Sequence, residues 1–176
     1  MSKIITYTHK LVDPFNLAAD EICIEDIARA LAYTTRFSGH AGQYSVAEHS
    51  IRLSEMVEPR YKLQALLHDA AEAYMGDIAS PLKDAIMIKG VGRDYPFSEI
   101  ESDILEAVGM AFDIDMDLHI TVHEGDRLLL HDEMRTLIGW GDGDIIPDIQ
   151  CWEGHIAEEQ FLDTFAHLRM DSESYA

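Results

Sequence analysis

Four polar side chains stand close together in "LLHDAAEAYMGDIASPLK" (residues 66–83), a segment that otherwise has the apolar pattern of a buried helix: His68, Asp69, Glu72 and Asp77. Burying a histidine and carboxylates is costly unless partners or a metal ion neutralise them. On an α-helix, His68 and Glu72 would project within about 40° of each other, with Asp69 one step round. The pattern predicts a metal site whose ion activates water for hydrolysis.

Further ligands for such an ion must come from other parts of the chain. His49 lies in "YSVAEHS", and Asp126 lies before leucines in "VHEGDRLLL". Three separate helices would then supply convergent ligands, although a set of hydrogen-bonded core polar groups is the alternative. A mixed nitrogen and carboxylate set favours Mn, Co, Fe, Ni or Zn over Mg or Ca. We therefore expect a divalent transition metal as cofactor: Mn, Co or Zn.

A second His-Asp pair, His131-Asp132, imitates the first. His131 follows Asp126 by five residues, or about 140° round a helix, so the two side chains are not expected to serve one ion. We interpret this pair as solvated or packing residues. His40 and His123 are further candidates for ligands or substrate contacts.

The spacing of apolar residues predicts the helices that must position these groups. They cover residues 24–34, 46–57, 61–75, about 96–112, 118–138 and 155–168, with a short helix from Pro81 and a loop over residues 89–96. Ser45 is expected to cap the second helix and Gly76 to stop the third. After a short extended start, the chain is predicted to be an all-α bundle, and residues 1–176 to form a single domain.

Charge and hydropathy exclude several classes of partner and location. Thirty-three acidic residues against 13 basic ones give a net charge of -20. Such a chain repels nucleic acid and anionic membranes, so we expect neither as a partner. No signal peptide or membrane-length apolar run is present, and we expect a cytoplasmic location. An anionic ligand must then be captured locally, by a metal ion or a few placed cations.

His49, the His68-Asp69 pair and Asp126 together resemble the HD-domain metal-dependent phosphohydrolases, an all-α superfamily named for its His-Asp pair. The longer string "RFSGH…YSVAEHS…LLHDAAEAYMGDIASPLK…GDRL" is most similar to the branch containing the bacterial 5'-deoxynucleotidases and the bacteriophage deoxynucleotide (dATP-type) phosphohydrolases. The likeness covers roughly residues 22–130. It implies an HD-domain helical bundle in which the four residues bind one catalytic cation.

The resemblance also implies roles for the two remaining acids of the segment. Glu72 is the expected catalytic acid/base that takes the proton of the attacking water. Its alternative role is to hold the side chain of His68 in position. Asp77 corresponds to an Asp that binds the deoxyribose 3'-hydroxyl, so we assign it to the catalytic and substrate-binding set. Its alternative role is a cap for the turn before Pro81.

On the substrate side, the resemblance points to cations and an aromatic ring. Arg36 matches an Arg that reaches phosphate, and Phe37 matches an aromatic residue that crowds the sugar 2' position. This residue is Trp in the bacterial deoxynucleotidases. In "SPLK", Pro81 and Lys83 are assigned to substrate binding, with Lys83 as a phosphate contact. Arg36 and Lys83 as plain surface residues are the alternatives.

The expected function is metal-dependent hydrolysis of deoxynucleoside phosphates. Release of phosphate from a monophosphate and release of tripolyphosphate from a triphosphate such as dATP are equally compatible with the sequence. The alternatives are a catalytically silent HD module that binds nucleotide and a cyclic-nucleotide phosphodiesterase. Because members of the family that the chain resembles commonly form dimers or larger assemblies, a homo-oligomer is expected.

Overall fold

A computed structural model describes residues 3–90 and 92–174, and helices form most of its fold. The sequence predicts an all-α bundle, and the structure confirms a mainly helical fold that also contains short strands. The α-helices are α1 (Ile24–Tyr33), α2 (Val46–Met56), α3 (Lys62–Leu67), α4 (Glu72–Met75), α5 (Ser80–Lys83), α6 (Phe97–Phe112), α7 (Ile120–Glu133) and α8 (Gly154–Ser174). A π-helical turn, Met134–Ile138, follows α7 directly. Two short antiparallel hairpins pair β1 (Ile4–Ile5) with β2 (Leu11–Val12) and β3 (Met87–Lys89) with β4 (Asp94–Pro96).

The core lies between α1, α2, α3 and α8. Leu31 of α1, Leu66 of α3 and Phe161 of α8 are fully buried in one apolar cluster. Burying a side chain of this size stabilises the fold by about 1.5–3 kcal/mol relative to leaving it in water. The helices on either side of residues 68–71 pack against this core, because α3 contacts α2 and α8, and α4 contacts α1.

The start of α2 is defined by its cap. The side chain of Ser45 accepts a hydrogen bond from the Glu48 amide at 3.1 Å, which confirms the predicted cap. Thr35 and Ser45 also form an isolated antiparallel bridge, so the two ends of the loop between them lie side by side. The cap places His49 in the first turns of α2, with its side chain directed into the interior.

The helix predicted over residues 61–75 is wrong in one respect, because it breaks at residues 68–71 into α3 and α4. His68 Nδ1 lies 2.8 Å from the Ala65 carbonyl oxygen, the acceptor that a continuing α-helix would offer to the Asp69 amide. The Glu72 amide bonds instead to the Asp69 carbonyl at 3.0 Å, the tighter spacing of a 3₁₀ turn. Gly76, at φ 79°, ends α4 as predicted.

The loop predicted over residues 89–96 is wrong at its two ends, because Lys89 belongs to β3 and Asp94–Pro96 form β4. Ile88 pairs with Tyr95, and both pack against the core. Lys89 and Asp94 face each other across the strands with an ion pair at 2.9 Å. Cross-strand pairs of this kind stabilise a short hairpin that alternation alone does not reveal.

The last two long helices lie where the sequence places them, with different ends. The helix predicted over residues 118–138 begins at Ile120 and consists of α7 and the π-helical turn, whereas α8 runs beyond the predicted residues 155–168. Within the described ranges, no helix combines the length and the apolar character needed to cross a membrane.

Candidate metal centre

Ligand atoms from three parts of the fold meet at one point. His49 comes from α2, His68 and Asp69 from the turn between α3 and α4, and Asp126 from α7. One donor atom from each of His49, His68 and Asp69 lies within 4.8 Å of the others. Asp126 Oδ1 joins them at 3.1 Å from His49 Nε2 and 4.0 Å from His68 Nε2. The predicted set of four therefore converges.

The spacing of the two imidazoles tests whether the group fits a metal ion. Their Nε2 atoms lie 3.3 Å apart. Two nitrogens bound to one tetrahedral ion at about 2.0–2.1 Å would be about 3.4 Å apart. His68 Nε2 and Asp69 Oδ2 are similarly spaced at 3.1 Å. His49, His68 and Asp69 can thus hold a metal ion with little rearrangement.

Electrostatics link His68 and Asp69 closely. Burial lowers the pKa of His68, but the charge and hydrogen bond of Asp69 outweigh it and bring this pKa to about 9. Burial raises the pKa of Asp69, but His68, His49 and Arg36 drive it far below its usual range. An ion that binds His68 Nε2 must displace the proton held there.

Glu133, at the end of α7, stands behind His49 and was not predicted. It is fully buried, and its Oε1 lies 2.7 Å from His49 Nδ1. The Tyr44 hydroxyl donates to the same oxygen at 2.6 Å, and Arg36 Nε donates to Oε2 at 3.1 Å. Burial raises the pKa of Glu133, but His49 and Arg36 outweigh it and hold this pKa below its usual value. The signal in the sequence is the spacing of seven residues from Asp126, which places both carboxylates on one face of α7.

The loop after α1 has a strained backbone at Phe37 and Ser38, directly after Arg36. Phe37 and Ser38 have φ values of 56° and 52°, in the left-handed region. Each costs about 1–2 kcal/mol for a residue with a Cβ atom. The His40 amide bonds to the Phe37 carbonyl at 2.9 Å, and the Arg36 amide bonds to the Tyr44 carbonyl at 2.9 Å. Strain of this kind persists where the surrounding structure imposes it, as at functional sites.

A cavity of about 310 Å³ opens beside the ligand group. This volume is within the range of small-molecule sites. Most of the predicted site residues line it, but His49, His68 and Pro81 do not. The two histidines are buried, and Pro81 is exposed in the first turn of α5. The lining residues are Arg36, Phe37, Ser38, Asp69, Glu72, Asp77, Ile78, Ala79, Ser80, Lys83, Asp126, Leu130 and Met134.

Glu72 lies on the wall of this cavity and shares Lys83 with a second carboxylate. Lys83 Nζ lies 3.3 Å from Glu72 Oε1 and 2.7 Å from Glu101 Oε1. Glu72 Oε2 is buried without a hydrogen-bond partner among the described residues. Burial raises the pKa of Glu72 to about 8, the charges of Asp69 and Asp77 add to the rise, and Lys83 opposes it. Glu72 can therefore hold or release a proton near neutral pH.

The remaining histidines lie outside the ligand group. His131 is exposed, and Asp132 accepts the Asp144 amide at 2.7 Å, so the second His-Asp pair is separate from the centre as expected. His123 lines a neighbouring cleft together with His68, Asp69 and Glu72.

Comparison with known proteins adds a family relationship. The uncharacterized protein YfdR of Escherichia coli (strain K12) is 34% identical over 162 residues, which is 92% of this chain and 84% of YfdR. This chain belongs to the YfdR family. An alignment of that length on 176 residues must include residues 49–126, so the likeness to YfdR extends across the candidate metal centre. An uncharacterized protein of Rhodobacter capsulatus is 38% identical over 112 residues, covering 58% of this chain and 52% of that protein. No family model matches the chain.

Proposed function

We propose that this chain is an HD-domain phosphohydrolase that hydrolyses deoxynucleoside phosphates with a divalent transition metal. The observation that carries the proposal is the convergence of His49, His68, Asp69 and Asp126. Two of the four, Asp69 and Asp126, line a cavity that also holds Glu72 and Arg36. A divalent ion bound there supplies hydroxide near neutral pH and neutralises charge on a phosphoryl oxygen.

Glu72 takes the proton of the attacking water in this proposal. Its side chain is 6% exposed, and one of its oxygens is unpaired among the described residues. A general base works best when its pKa lies near the operating pH, and the pKa of Glu72 is about 8. Lys83 keeps the carboxyl group in place through the contact with Oε1. The same group can return the proton to the leaving oxygen.

Arg36 is the cation that we assign to the phosphate. Its Nε atom is held by Glu133, and its Nη1 atom lies 3.6 Å from Asp69 Oδ2. The outer edge of the planar guanidinium group is suited to phosphate oxygens. Two of the three N–H donors of Lys83 already bond to Glu72 and Glu101, so its first role is to hold these carboxylates, and one donor remains for a phosphate.

The charge of the cavity favours a monophosphate over a triphosphate. Arg36 and Lys83 are the cations among the lining residues, and both are already paired with carboxylates. A triphosphate brings two further charged groups, which need additional donors to replace their water. We therefore propose a 5'-monophosphate substrate, hydrolysed to a deoxynucleoside and inorganic phosphate. The lining carboxylates that oppose a larger anion are Asp69, Glu72, Asp77 and Asp126.

Asp77 and Phe37 are assigned to the sugar. Asp77 is partly buried on the cavity wall, where its carboxyl group can accept a hydrogen bond from the 3'-hydroxyl. The strained backbone of Phe37 keeps its ring near Arg36, whose guanidinium carbon lies 5.6 Å from the ring centroid. A ring in this position leaves less room for a 2'-hydroxyl beside the phosphate.

A hydrolysis screen tests the proposal. The purified protein is loaded in turn with Mn, Co or Zn and incubated with deoxy and ribo mono- and triphosphates, while phosphate and tripolyphosphate are resolved. We expect phosphate from deoxynucleoside monophosphates, with loss of turnover on chelation. Release of tripolyphosphate would refute the monophosphate assignment. The absence of turnover with every substrate would refute the enzyme and favour a nucleotide-binding module.

The chain offers a matched control in its second His-Asp pair. His68→Ala is expected to abolish turnover, whereas His131→Ala, at an exposed histidine outside the cavity, is expected to retain it. Equal loss in both variants would contradict the location of the site.

A further inference from the structure

We propose that Glu133 is a positioning residue that couples the metal centre to the phosphate-binding arginine. One carboxylate oxygen orients His49, and the other orients Arg36. This inference deepens the proposed function and rests on it for the role of Arg36, whereas the effect on metal binding can be measured without any hydrolysis.

The contact with His49 selects one form of the imidazole ring. His49 Nε2 faces Asp126 and His68, whereas Nδ1 faces Glu133 Oε1 at 2.7 Å. A carboxylate oxygen only accepts hydrogen bonds, so Nδ1 carries the hydrogen. When a metal ion lies between Nε2 and the other ligand atoms, Nδ1 keeps its hydrogen and Nε2 offers its lone pair to the ion. Metal-bound histidines commonly donate their other nitrogen to a carboxylate in this way, which fixes both the tautomer and the ring orientation.

The contact with Arg36 aims the guanidinium group. Nε lies at the inner edge of the planar group, and it donates to Glu133 Oε2 at 3.1 Å. Holding this atom fixes the plane of the group while leaving its outer edge available for a phosphate. The Arg36 side chain is 13% exposed and has little room to turn. Without Glu133, Asp69 would be the remaining anion within ion-pair distance of Arg36 among the described contacts.

The position of Glu133 is itself held from several sides. It is the last residue of α7, on the same face as Asp126, and the π-helical turn follows it. Tyr44, fully buried, donates to Oε1 at 2.6 Å. A buried carboxylate needs such partners, and here they come from α2 and from the loop before it. Any displacement of Glu133 must therefore move both the imidazole and the guanidinium group.

Glu133→Gln removes the negative charge behind both contacts. Its neutral amide oxygen accepts more weakly from His49 Nδ1 than the carboxylate does, and its NH₂ group cannot accept from Arg36 Nε. Tyr44→Phe is the matched control, because it removes one hydrogen bond from the same buried carboxylate and leaves both coupled contacts intact. Zinc affinity is measured by competition with a chromophoric chelator, and hydrolysis is measured as kcat and KM.

We expect Glu133→Gln to weaken zinc binding about tenfold or more, and Tyr44→Phe to change it less than about threefold. We also expect Glu133→Gln to raise KM for the nucleotide, and this rise to disappear in an Arg36→Ala background while the zinc effect persists. Wild-type zinc affinity in Glu133→Gln, equal losses in the two variants, or a KM effect that is independent of Arg36 would overturn the coupling. If the wild type binds zinc but hydrolyses no nucleotide, the proposed function fails while the zinc comparison still decides the role of Glu133 toward His49.

Discussion

Glu72→Gln is expected to change stability and activity in opposite directions. The Glu72 side chain is buried, and its pKa rises from 4.5 to about 8, through burial first and the charges of Asp69 and Asp77 second. One pKa unit is worth about 1.4 kcal/mol, so ionising this carboxyl group in the folded chain opposes folding by about 5 kcal/mol. Gln has nearly the same shape and stays neutral. The substitution therefore removes the energetic cost of ionising this side chain in the folded chain, at the pH values at which Glu72 is ionised.

The sign of the effect follows from the two pKa values. Below pH 4.5 the carboxyl group is protonated in both the folded and the unfolded chain, and its contribution to stability is fully present. As the pH rises from 4.5 to about 8, the unfolded chain releases the proton and the folded chain retains it, so stability falls. Above pH 8 the loss is complete.

The assay is urea unfolding of metal-free wild type and Glu72→Gln between about pH 5 and about pH 9. We expect similar free energies of unfolding at the acidic end, and a variant that is more stable by up to about 5 kcal/mol at the basic end. Loaded with metal, the same variant should keep the ion and lose about 10²- to 10⁴-fold in turnover. If the free energies of unfolding of the wild type and the variant changed with pH in parallel, Glu72 would not retain its proton in the folded chain. Turnover near the wild-type rate in Glu72→Gln would refute the catalytic role. Glu101→Gln, which touches Lys83 from its other side, is the control for altered lysine contacts.

Further predictions concern the candidate metal ligand His68 and the buried glutamate Glu48. His68→Ala should lose the ion in elemental analysis while its helical circular dichroism is retained; full metal retention would exclude His68 as a ligand. Burial lowers the pKa of His68, but Asp69 outweighs this and raises it to about 9, so metal affinity should increase roughly tenfold per pH unit below that value, with proton release visible by calorimetry in two buffers. Glu48, fully buried, accepts from Arg52 at 3.0 Å and from the Trp152 amide at 2.9 Å. Glu48→Ala should therefore lower the free energy of unfolding by about 3–5 kcal/mol in urea titrations, and an unchanged midpoint would contradict this.

Local signals in the sequence were sufficient where one residue determines an element boundary. Ser45 caps α2 and Gly76 ends α4 because a side-chain acceptor and a left-handed backbone are local properties. The break at residues 68–71 was missed because periodicity counts apolar positions and does not register that His68 competes for the Ala65 carbonyl. The hairpin of β3 and β4 depends on the pairing of the two strands and on their packing against the core. Neither contact can be recognised from the short sequence of the segment.

The same distinction holds for the candidate site. His49, His68, Asp69 and Asp126 were predicted as one set because residue type and a family pattern identify them, and the structure brings them together. Glu133 was missed because "LLLHDEMRTL" reads as an ordinary amphipathic helix, in which a glutamate is expected in solvent. Its partner His49 is 84 residues away in the chain, a contact that arises only when α7 packs against α2.

The four candidate ligands are spread along the chain from residue 49 to residue 126, so the ion of the proposed function would report the folded state. The ligand group exists only while α2, the turn after α3, and α7 are docked together, so an unfolded chain offers the ion no comparable site. At free metal about 100-fold above its dissociation constant, this preference shifts the folding equilibrium by about 2.7 kcal/mol. Metal supply would then set not only the activity of the protein but also its resistance to proteolysis and its abundance.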